Sequence, residues 1–129
     1  MVAQHLLVDT NVLIHHWNGD VSTTSILDRA VFHVSFITEI EILGFHGYTA
    51  HARAKVTADM ATIRITDVDA GIKSAAIDLC ARYCMKLADA LIAATAIRLG
   101  IPLVTEDKHF KRLKDEVTVE LIQSPDNNQ

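Results

Sequence analysis

Apolar residues along this chain switch repeatedly between short continuous runs and a helical period. HLLV at 5–8 reads as a buried strand, and TNVLIHHW at 10–17 follows it with Leu13, Ile14 and Trp17 on one helical face. A second amphipathic helix is expected near 22–30, then a strand FHVS at 32–35. Helices near 38–46 and 49–61 come next, separated by a turn at Gly47 and Tyr48. IRIT at 63–66 is a third strand, and the helix after it covers about 70–84. LADALIAATAIRL at 87–99 is helical and is stopped by Gly100 and Pro102. LVT at 103–105 is a fourth strand, followed by a basic helical turn and a last strand VTVELI at 117–122. Strands alternating with helices predict an α/β fold: a parallel, doubly wound sheet of four to five strands with helices on both faces.

At 129 residues the chain has room for one domain with one core, here placed at 1–123, with SPDNNQ at 124–129 as a disordered tail. Half the residues are hydrophobic and mean hydropathy is +0.21, yet no apolar run approaches the ~18 residues of a membrane span. The excess points instead to a partner surface. Its expected sources are the small residues of LADALIAATA and the side chains of Leu13, Ile14, Trp17, Ile26 and Leu27. The N-terminus runs straight into a strand without a basic or apolar leader, which places the protein in the cytoplasm. A net charge of −4 argues against a protein that coats nucleic acid, but not against a nuclease built on acidic residues. Cys80 and Cys84, spaced i, i+4 on one helix, read as small core residues, not as a disulfide or zinc pair. The seven histidines include no i, i+4 metal-binding pair.

The candidate chemistry lies in four carboxylates. Asp9 follows the first strand, Glu41 lies on the helix after the second, Asp89 opens the helix before the fourth, and Asp107 follows the fourth. In such sheets all four can reach the carboxyl edge, where ligands bind near the switch in strand order. Carboxylates brought within ~5 Å repel by roughly 3 kcal/mol per pair at an effective dielectric near 20, so such a cluster calls for a divalent cation or a shared proton. Helix capping is the ordinary alternative for Asp9, Asp89 and Asp107. It does not serve for Glu41, which the helical period places beside the inward face of Ile37, Ile40 and Gly44 with no Lys or Arg at i±3 or i±4. Glu39 falls on another face.

VDTNVLI, SFITEIEILGF and KLADALIAATAIRLGIPLVTEDKHF, in this order and spacing, resemble the PIN domain, and in particular VapC-type toxins of toxin–antitoxin pairs. The resemblance runs from Leu6 to about Leu113. It implies an acidic quartet of Asp9, Glu41, Asp89 and Asp107, taking Glu41 over Glu39 and Asp107 over Glu106. Ala88 stands where relatives often carry proline, a change that loosens the helix start without removing a ligand.

The implied activity is Mg2+-dependent endoribonuclease cleavage of RNA phosphodiester bonds, with Mn2+ able to substitute, since an all-oxygen site suits hard ions and not zinc. Asp9 and Asp89 are expected to ligate the metal directly. Glu41 and Asp107 are expected to act through water or a second ion. Thr10, Asn11 and Thr105 either hold these carboxylates by hydrogen bonds or satisfy local backbone. Lys108, Lys111 and Arg112 are expected to steer RNA phosphates, or else to complement a helix end. The implied partners are a VapB-type antitoxin and a second copy of the chain in a homodimer. Two other readings stay open: a PIN nuclease of RNA processing that is no toxin, and a PIN-like interaction module. A phosphotransfer receiver is disfavoured because VDTNV carries a single aspartate.

Overall fold

The computed structural model describes residues 3–123, so the tail expected at 124–129 lies outside the described residues. Five strands form one wholly parallel sheet: His5–Val8 (β1), Val31–Ser35 (β2), Arg64–Thr66 (β3), Leu103–Thr105 (β4) and Val119–Leu121 (β5). Their order is β3-β2-β1-β4-β5. Because successive strand side chains point to opposite faces, β1 feeds two cores at once. Leu6 and Val8 point to one and Leu7 to the other, all fully buried.

On the Leu6 face, α1 (Thr10–Trp17), α2 (Val21–Leu27), α3 (Phe36–Leu43) and α4 (Ala50–Met60) contribute Val12, Leu13, Leu27, Ile42 and Met60. On the Leu7 face lie α5 (Ala70–Tyr83), α6 (Leu87–Leu99) and a 3₁₀ turn at Lys108–Leu113 anchored by Phe110 and Leu113. The expected three-layer α/β architecture is therefore present.

Several expectations are corrected. The close helix packing expected of the small residues of α6 is internal: Ala90, Ala93, Ala94 and Ala96 are fully buried against α5 and the sheet, and only Ala88 among those of LADALIAATA is exposed. Leu13 and Leu27 are likewise spent in the core, which leaves exposed Ile14 and half-buried Trp17 and Ile26 as the more accessible members of that group. Cys80 packs at half-burial against the core, but Cys84 is exposed and adopts φ +55° where α5 ends. A helix that stops there cannot carry Cys84 inward.

The start of α3 comes two residues early because the Ser35 hydroxyl accepts the Ile37 N–H at 3.0 Å. It stops at Leu43, not 46, because side chains take over its last carbonyls. Tyr48 donates its hydroxyl to Ile42 O, and the Arg53 guanidinium donates to Leu43 O and Phe45 O.

The close packing of α6 predicts that Ala93→Leu costs about 1–3 kcal/mol through overpacking. Urea unfolding should show a lower midpoint with an unchanged slope.

Candidate active site

The order of strands reverses between β1 and β4, and the sheet hydrogen bonds continue past β1 to bring the first acid to that point. Asp9 N–H donates to Val104 O at 3.0 Å, so the Asp9 backbone is held by the β1–β4 ladder. Asp107 follows β4 by two residues. Glu41 projects from the second turn of α3, which leaves the end of β2, and Asp89 lies in the first turn of α6. The four acids come from four different elements meeting at the carboxyl edge of the sheet, where ligand sites of doubly wound folds lie.

Threonine hydroxyls hold them. Thr105 Oγ1 donates to Asp9 Oδ2 at 2.8 Å and accepts the Asp107 N–H at 3.0 Å, so one side chain ties two of the acids together. Thr10 N–H donates to the other Asp9 oxygen at 2.8 Å, while Thr10 Oγ1 donates to Glu41 Oε1 at 2.9 Å. Having spent its proton on Glu41, Thr10 Oγ1 must accept from Thr38 Oγ1, 2.9 Å away. Thr38 is fully buried, and the sequence reading missed it. Its place three residues before Glu41, on the same helical face, was the available signal. Asn11 is exposed, and its side chain makes no hydrogen bond to another described residue.

Burial pushes the Asp9 carboxyl up to about 6, against the lowering effect of its bonds from Thr105 and Thr10 and with help from the charges of Asp89 and Glu41. Asp89 is also raised, first by burial, then by Asp107 and Glu41, with Lys86 and His109 opposing. The four acids thus form one electrostatically coupled cluster. Lys86, three residues before Asp89, is a basic neighbour that sequence reasoning overlooked.

Glu41 is there for a different reason than its sequence suggested. The packed face of α3 is Thr38 and Ile42, whereas Ile40 is 60% exposed and Glu41 itself is exposed. Glu41 is held by the Thr10 hydroxyl, against the repulsion of the neighbouring acids. Asp89 does not cap α6, since Lys86 occupies that position. Asp9 and Asp107 do double duty, capping α1 and the 3₁₀ turn as well as facing the cluster. Glu106 turns away to pair with His15.

Of the basic residues, Lys108 and Lys111 are exposed. Arg112 is committed to the carbonyls of Tyr83 and His109, and His109 bonds back to Asp107.

The donor set around Asp9 is hard oxygen throughout and fits a magnesium-like ion. Among the described residues, no three or more acidic, imidazole or thiol side chains are placed so that together they could hold a metal ion. Also among the described residues, no helix is long and apolar enough to cross a membrane.

Comparison with known proteins gives the same frame. The PIN domain family model matches residues 6–116, and the chain belongs to that family. A toxin–antitoxin complex from Klebsiella pneumoniae contains a chain 29% identical, with a TM-score of 0.72, the match covering 81% of this chain and 89% of that one. The VapBC2 complex of Rickettsia felis bound to promoter DNA matches at 20% identity and TM-score 0.78, over 93% of this chain and all of that one. FitAcB from Neisseria gonorrhoeae matches at 21% and 0.75, over 89% and 96%. The search of curated proteins gives no match. Proteins of the PIN family are typically nucleases that use divalent metals.

A carboxyl raised from 3.8 to about 6 makes the folded state bind the proton more tightly than the unfolded one. Stability of the metal-free protein should therefore fall as pH rises from about 4 to about 6, by on the order of 3 kcal/mol from this group, and stay level above. Asp9→Asn removes the charge. Its Nδ2 can donate to Thr105 Oγ1 while its Oδ1 still accepts from Thr10 N–H. The difference in unfolding free energy between variant and wild type should grow in favour of the variant across that window. A constant difference would mean that Asp9 is not held in a charge-repelling environment.

Proposed function

We propose that this chain is a divalent-metal-dependent endoribonuclease and the toxin of a VapBC-type toxin–antitoxin pair. The observation that carries the reading is the coupled cluster of Asp9, Glu41, Asp89 and Asp107 at the sheet's switch point, in a chain of the PIN family. An interaction module has no use for four mutually repelling acids, whereas a phosphodiester hydrolase needs them.

Asp9 and Asp89 would hold a magnesium ion, or manganese in its place, with Glu41 and Asp107 acting through water or a second ion. When bound, the ion supplies Lewis acidity that activates water and stabilises the departing oxygen. The protein's own part is positioning. Thr105 and Thr10 keep the Asp9 carboxylate oriented so that little reorganises when substrate arrives. Lys108 and Lys111, with Lys86 beside Asp89, draw the phosphates of a single-stranded or looped RNA toward the acids.

The toxin reading is supported by structural neighbours that are toxin–antitoxin complexes. The partner is then a VapB-type antitoxin whose tail covers the acidic site, and the protein works in the cytoplasm. A homodimer is supported by exposed Ile40, Ile77 and Leu87 on α3, α5 and α6.

The test separates two neighbouring acids. Glu41→Gln should lower Mg2+-dependent RNA cleavage by orders of magnitude and relieve growth inhibition on expression. Glu39→Gln should leave cleavage intact and stability within about 0.5 kcal/mol. Equal loss in both variants, or cleavage that persists in EDTA, would overturn the assignment.

A further inference from the structure

Beside the acids lies a groove that the proposed chemistry does not yet use. α1 and α3 both start at the carboxyl edge, and between them and α4 runs a cavity of about 340 Å³, near the lower end of the ~300–1,000 Å³ of ligand pockets. Glu41 is among its lining residues and is the same residue that Thr10 bonds and that couples to Asp9 and Asp89. The groove therefore shares one residue, Glu41, with the acidic cluster.

Its lining mixes aliphatic Ile14, Ile42 and Val56 with three aromatic side chains. The chain has only seven Trp, Tyr and Phe residues, and Trp17, Phe45 and Tyr48 all line this one groove. Phe45, four residues after Glu41 and just past the end of α3, is 50% exposed. Its position is rigid. The Tyr48 ring meets it edge-on with centroids 4.9 Å apart, and Arg53 stacks 5.3 Å over Tyr48 while donating to Phe45 O at 2.6 Å and Leu43 O at 2.8 Å. Asn18 adds an amide at the rim, able to read a base edge. No lysine or arginine is among the described lining residues, so the groove offers flat apolar faces and not phosphate contacts.

We propose that this groove stacks an unpaired base of the RNA entering the acidic cluster, with Phe45 as the principal platform and Trp17 elsewhere in the same lining. The inference rests on the ribonuclease reading and adds a subsite to it. Stacking of this kind tolerates any base and adds affinity without adding salt dependence. The rival occupant is a peptide segment of a partner protein, which would need the same apolar surface but no aromatic faces.

Trp17 is the chain's single tryptophan and reports on the groove directly. Asp9→Asn protein, which does not cleave, is titrated in Mg2+ with a short mixed-sequence single-stranded RNA and with the same backbone carrying abasic sugars. The RNA should quench Trp17 fluorescence, and the abasic chain should bind without quenching. Adding Phe45→Ala should weaken RNA binding about 5- to 150-fold with the same salt slope, and Phe45→Tyr should retain it. Binding of the abasic chain should not change. In the chain with Asp9 intact, Phe45→Ala should slow cleavage of the same RNA and Phe45→Tyr should not. If that chain cleaves RNA and Phe45→Ala neither weakens binding nor slows cleavage, the subsite is overturned and the groove falls to a protein partner. If the wild-type chain neither binds nor cleaves RNA in Mg2+, the ribonuclease reading itself falls, and the subsite with it.

Discussion

Repulsion among like charges at one end of the sheet is the constraint around which this molecule is arranged. Asp9 is held by the β1–β4 ladder, with a carboxyl raised by burial and by its acidic neighbours. A flexible loop would let these groups drift apart into water. Here each comes from a different rigid element, and bonds from Thr105, Thr10 and the Asp107 backbone fix the geometry without neutralising the charge. The strain that remains is what a divalent cation would relieve.

The two cores follow from the same need. β1 and β4 sit at the centre of the sheet and are covered on both faces, so the ends that carry Asp9 and Asp107 have little freedom. The alanines of α6 let that helix lie close to the sheet and bring its first turn, with Asp89, up to the edge. A bulkier α6 would push that turn outward. Core packing and site geometry are therefore not separate properties here.

Much of this was legible from local pattern. The bounds of β1, α1, α6 and β4 agree with the sequence reading, because each is a strongly periodic or strongly apolar segment ended by a turn residue. The end of α3 was not legible. It depends on Arg53 and Tyr48 reaching back to its carbonyls from later in the chain, a contact no window of sequence displays. Cys84 looked like core because a helix period was extended one residue too far, into a position with φ +55°.

The acidic positions themselves were set by the sequence: a carboxylate after each of two strands, one in a helix start and one a turn further along another helix, with oxygen as the only donor type. Order along the chain also sufficed to place them at one edge, since parallel strands share a direction. Tertiary structure decided what holds them. It chose Thr38 and Thr10 as the support for Glu41, turned Glu106 onto His15, tied Arg112 to backbone carbonyls, and brought Trp17 and Phe45 into the lining of one cavity. The reason is physical. A residue's type and period are local properties, but the partner that satisfies its charge or its ring is whatever the packed chain places within a few ångströms, often from dozens of residues away.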